Sequence, residues 1–303
     1  MDPVTQLKLD TFLHLLLYPV LALSTVAAAG LAARRGAEGQ TRPGVTALAL
    51  GVALTISWVG IVAVPALPPV DTRDYTPFFA LLLPLPFLAL ESRPRLAFVA
   101  PLAGLSVVLM LWLYLKPIMG GEYAPADRVA QVGALMLLVW LGVDRLAVIV
   151  PAPATLSALC FAAIGAAVAA LVSGTAIIGQ ALGGIAAVTG VASIIVWRLP
   201  RLAMGRAAVA AALVPFFGSL VFAHFYGDLP AVPAAIAALS PLGLAAALPL
   251  RSVVVATVVA GVVAFIPAGG AAFYAKHLSD TKHAAEAPAD NGGVPVQDWG
   301  SLK

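Results

Sequence analysis

What most constrains this chain is where its charges are not. No Asp, Glu, Lys or Arg lies between Asp10 and Arg34, Arg42 and Asp71, Asp74 and Glu91, Arg95 and Lys116, or Arg128 and Asp144. The gap from Arg145 to Arg198 is about twice as long, and three more follow: Arg206 to Asp228, Asp228 to Arg251 and Arg251 to Lys276. A helix rises about 1.5 Å per residue, so about 20 apolar residues cross the roughly 30 Å of hydrocarbon in a bilayer. Most gaps therefore fit one crossing each. The long one needs a break, expected at Ser173-Gly174-Thr175, where a glycine and two small polar residues suit a turn.

In water such a chain could not hide its side chains. It is 61% hydrophobic and 10% charged, with a mean hydropathy of +1.00, whereas soluble domains carry about 25% charged residues. A soluble enzyme, a disulfide scaffold and a disordered chain are excluded. The net charge of +3 comes from basic residues scattered in short connections, which read as topology signals, so no nucleic-acid partner is expected. The single cysteine, Cys160, sits in an apolar run and cannot form an intrachain disulfide.

The fold expected is all-α: a polytopic membrane bundle over 1–275 with ten helices, near 10–33, 44–67, 75–91, 95–116, 127–145, 151–173, 175–198, 205–226, 229–250 and 252–275. Ten divides into five plus five, and an odd number per half would make the halves inverted, a common plan of secondary transporters. The first segment reads as a helix rather than a cleaved signal, because Asp2, Lys8 and Asp10 precede it in place of a basic cluster. With ten crossings, Arg34, Arg35 and Arg42 share a face with Arg198, Arg201 and Arg206. The positive-inside rule then makes that face cytoplasmic and puts both termini on the other side, in an integral protein of the cell (inner) membrane. Residues 276–303, polar and holding Pro288, Gly292, Gly293 and Pro295, are expected to form a disordered tail.

Chemistry has few carriers. There is no HExxH, Walker A or GxSxG pattern, and His277 and His283 lack companion ligands. No catalytic residue, metal or cofactor is expected. The residues singled out for substrate binding are Asp10 with His14, spaced i, i+4 at the mouth of the first helix; Trp58 beside Thr55 and Ser57; Gln180, deep in the seventh helix; and His224 with Tyr226 at the end of the eighth. A polar group in hydrocarbon is costly unless partnered, so Gln180 should face a helix, a pore or a ligand. Each has a plainer alternative: an interfacial anchor, a packing hydrogen bond or an aromatic belt. Gly179 and Gly183 form a GxxxG face for helix packing.

Two functions follow. One is a small-molecule permease with a mostly neutral cavity that reaches mid-membrane and holds Gln180. The other is a non-catalytic structural or assembly subunit, with a filled interior and an apolar face for another membrane protein or a second copy. In either case the bilayer is the first partner.

Overall fold

The computed structural model describes residues 43–62, 64–91, 96–199 and 204–286. The segments 10–33 and 287–303, with Asp10 and His14, lie outside the described residues. Almost everything described is helical, and there is no strand among the described residues. Seven helices are long and apolar enough to cross a bilayer. They are α1 (Pro43–Ile61), α4 (Leu96–Leu115), α5 (Ala126–Ile149), α6 (Ala152–Val172), α7 (Ala176–Arg198), α8 (Arg206–Phe225) and α10 (Val253–Glu286).

Two expected crossings are interrupted. The segment expected at 75–91 is split into α2 (Tyr75–Leu82) and α3 (Leu85–Leu88). Pro84 and Pro86 withhold two backbone donors there, and a proline ring crowds the carbonyl four residues earlier. The one expected at 229–250 is α9 (Ala231–Leu239) followed by a 3-10 stretch, Ser240–Ala247. Pro241 again lacks the donor, while Ser240 Oγ turns back to donate to Ala237 O at 2.6 Å. Both segments still run from end to end. The turn before α2 lies beside Tyr226, whereas Glu91, after α3, meets the start of α8. Ala231 shares a cleft with the end of α8, and Leu250 packs beside Val150 and Ala154. Nine described segments thus alternate in direction. The interrupted ones are the third and ninth of the expected ten, whereas a five-plus-five division pairs the third with the eighth, the continuous α8.

Other boundaries follow from proline and glycine. α1 stops at Ile61 instead of 67, since Pro65 cannot supply the N–H that Ile61 O would need. Gly174 makes the expected break after α6 with a φ of +86°, a left-handed conformation that favours glycine. α10 runs through the expected bundle–tail boundary at 275. Residues 276–286 contain neither Gly nor Pro, and Lys276 pairs with Asp280 one turn on at 2.9 Å.

Packing explains which helix is central. α8 is buried along nearly its whole length, from Arg206 to Phe225. It has no polar face, and its first half reads Arg-Ala-Ala-Val-Ala-Ala-Ala, so neighbours approach from every side. The tightest seam joins α6 to α10. Ala256, Ala260, Ala264 and Ala268 recur every fourth residue and are fully buried. The place a Cβ would take at Gly165 is already filled by Ala268.

Candidate binding cleft

The two ends of the bundle are chemically unlike. At the end where α8 starts, three ionisable side chains converge. Arg206 Nη1 lies 3.2 Å from Asp144 Oδ2, with the side chains 4% and 1% exposed. Glu91 Oε1 accepts a hydrogen bond from Ala207 N at 3.0 Å, so a carboxylate caps the positive end of the central helix. The missing Cβ of Gly205 leaves the space that the Glu91 carboxylate fills. Removing charges from water is costly, and only the opposite charge and the helix terminus offset it here. The arrangement ties the end of the α3 segment to α5 and α8.

At the other end an aromatic column fills the interior. Trp58 packs on Phe222, Phe222 on Tyr114 and Tyr114 on Phe79, with ring centroids 6.4, 4.8 and 5.4 Å apart. Tyr114 Oη is 3.0 Å from the Thr76 hydroxyl, and Tyr226 Oη donates to Tyr114 O at 2.7 Å. Over this column lies a 3-10 turn, Thr72–Asp74, held by reciprocal capping. Asp71 accepts from Arg73 N and Nε, and Asp74 accepts from Val70 N and Asp71 N. Partial burial pushes the Asp71 carboxyl up, but the Arg73 bonds and charge outweigh it, so the group titrates below its ordinary range. Burial raises Tyr226 above the usual phenol range, the Thr72 hydroxyl opposes the shift, and the Asp71 charge adds to it.

Beside that column, at the same end, a cleft of about 200 Å³ opens between α5, α8 and α9. Its rim carries Arg128, Gln131 and His224, and its floor is Leu135, Met136 and Phe217. Met136 is eight residues beyond Arg128, which is about 12 Å along the helix axis, so the cleft reaches toward the middle of the bundle. It exists because α9 brings only alanines, Ala231, Ala234, Ala235 and Ala238, to the space facing α5 and α8. His224 Nδ1 is 2.9 Å from Leu229 O. A carbonyl only accepts, so Nδ1 carries the hydrogen and the ring is held at the rim.

The residues expected to bind substrate are dispersed. His224 is at the cleft. Tyr226 is half exposed above Tyr114. Trp58 is 4% exposed and packed against Phe222, lining no opening among those described. Gln180, about one turn into α7, is exposed and does not line the cleft. Of the GxxxG pair, Gly179 packs against Leu171 and Ala167 of α6, whereas Gly183 faces open space and Gly184 instead meets Ser57 and Ile61 of α1. Arg128, Glu91, Asp144 and Arg206 stand at the edges of charge-free gaps, where a charge reads as a helix end, and Gln131 lies one turn inside an expected helix with nothing in the sequence to mark it. α5 runs to Ile149, one turn beyond the expected 145, and so takes Asp144 inside.

Seven crossing helices around an apolar centre, with ionisable groups gathered at the two ends, define a multi-pass integral membrane protein. Comparison with known protein families, with curated proteins and with solved structures returns no match.

Proposed function

We propose that this protein is a small-molecule permease of the cell membrane whose substrate enters through the α5–α8–α9 cleft. The observation that carries this reading is an asymmetry of the two ends. At one end Glu91, Asp144 and Arg206 converge, the last two buried as an ion pair, and at the other a mostly apolar cleft is lined along about 12 Å of the α5 axis. Clefts of this kind, apolar with a few convergent polar groups, are the usual form of small-molecule sites. The interrupted α9 forms one wall, as discontinuous helices do in transporter sites. The arginine-rich end is cytoplasmic by the positive-inside rule, which makes the cleft face outward and puts both termini on the non-cytoplasmic side.

The test is flux. Purified protein in liposomes is offered a panel of radiolabelled small neutral and anionic solutes. At least one should enter faster than into empty liposomes, and Ala235→Phe, which fills the cleft from its half-buried wall, should abolish the difference. A panel without protein-dependent flux, together with stoichiometric recovery of other membrane proteins on gentle extraction, would replace this reading with the second: a structural or assembly subunit. That alternative draws support from the filled column running from Trp58 to Tyr226 and from the large exposed side chains along α10, such as Ile266 and Phe273.

A further inference from the structure

Arg128, Gln131 and His224 are the polar side chains that line the cleft, and among the described residues no carboxylate does. The nearest acidic candidates look elsewhere. Asp228 lines a separate groove with Ser173, Gly174 and Ser279, and Asp127, adjacent to Arg128 in sequence, is not among the lining residues. Arg128 and Gln131 are spaced i, i+3, so they project from the same face of α5. Arg128 forms no ion pair with the described residues. Below this rim the walls are hydrocarbon: Leu135, Met136, Phe217, Leu220 and the alanines of α9. A cavity of about 150 Å³ takes a benzene molecule, so about 200 Å³ admits an apolar body somewhat larger than one aromatic ring.

We infer that the cleft binds a small organic carboxylate, its apolar body seated on Met136 and Phe217 and its carboxylate paired with Arg128 and Gln131. Guanidinium and carboxylate match as a two-pronged pair, and Gln131 adds an amide donor. His224, held by Leu229, sits at the same rim and bounds the head-group space. Specificity comes from the contrast of the two zones. An alcohol of the same bulk forfeits the ion pair, an amine meets Arg128 as a like charge, and a carboxylate without an apolar body leaves the floor unfilled. The inference rests on the permease reading for the direction of entry, but binding is measured without transport.

The experiment is equilibrium binding of radiolabelled benzoate and octanoate to the full chain in detergent, competed by unlabelled benzyl alcohol, benzylamine and acetate. Saturable binding of both carboxylates is expected, with each competitor at least about tenfold weaker. Arg128→Gln should weaken binding about tenfold or more, since hydrogen bonds to charged groups are worth that much, and Arg128→Lys should recover part of it. Arg128 is exposed, so both variants should elute as the parent does in size exclusion. Equal affinity for benzyl alcohol, or no effect of Arg128→Gln, would overturn the inference. So would an anionic phospholipid that copurifies and is not displaced by octanoate, which would make the cleft a lipid site. Carboxylate binding with no flux in liposomes would sink the permease reading and leave the site standing, whereas flux of a neutral solute without carboxylate binding would do the reverse.

Discussion

Asp144 and Arg206 show how a single ion pair works in a bundle otherwise almost free of buried charge. Each is nearly inaccessible, and the opposite charge 3.2 Å away offsets much of the cost of burying it. Breaking a buried pair by removing one partner typically costs about 3–5 kcal/mol, whereas replacing both with apolar residues of similar volume is close to neutral. Asp144→Leu alone should therefore lower stability by about that amount, and Asp144→Leu with Arg206→Met should recover most of it. Thermal unfolding in detergent, followed by the fluorescence of the tryptophans, one of which (Trp140) lies one turn from Asp144, reads both. Two single variants as stable as the parent would show that the pair contributes nothing to holding α5 and α8 together. A charge at the edge of an apolar run looks like a helix end, and only the proline at 151 reveals that α5 continues to Ile149.

Among elements, the close seam is α6 against α10. A Cβ at Gly165 would lie 2.6 Å from Ala268 C and 2.9 Å from its Cα, backbone atoms that cannot swing aside. Gly165→Ala should destabilise by about 1–3 kcal/mol, the usual cost of overfilling a packed site. Gly183→Ala meets nothing within 4 Å and removes a residue with poor helix propensity, so it should be neutral or stabilising by up to about 1 kcal/mol. Melting temperatures of the two variants decide it, and a larger loss at Gly183 would restore the GxxxG reading. Small residues at spacing four were legible in both places. Glycine drew attention to 179 and 183, yet the longer repeat of Ala256, Ala260, Ala264 and Ala268 marks the tighter contact. In hydrocarbon, close approach needs only the absence of bulk, and alanine supplies that as glycine does.

For the whole molecule, the charge-free gaps give the all-α bundle directly, because length and apolarity are the conditions a crossing must meet. They do not distinguish a continuous helix from one interrupted by proline, and so α2–α3 and α9 with its 3-10 continuation appear as single helices in the sequence. The cleft depends on that difference. It lies where a short helix of alanines faces α5 and α8, an arrangement set by tertiary packing rather than by any motif. Of the expected site residues only His224 lines it, since polarity along the sequence reports burial cost and not which helices enclose a cavity.

In the permease reading the cleft is open to water from one end and closed from the other. The most direct measurement places a single thiol at Leu135, deep in the cleft, with Cys160→Ser removing the native one, and adds a membrane-impermeant thiol reagent to either side of sealed, oriented vesicles. Leu135→Cys should react from the end bearing Tyr226 and stay protected from the end bearing Arg206. Leu138→Cys, at similar depth but on the exposed outer face of α5, should stay inert because a thiol in hydrocarbon does not ionise. Equal inertness of both thiols from both sides would contradict the account and leave a filled bundle with no path for a substrate.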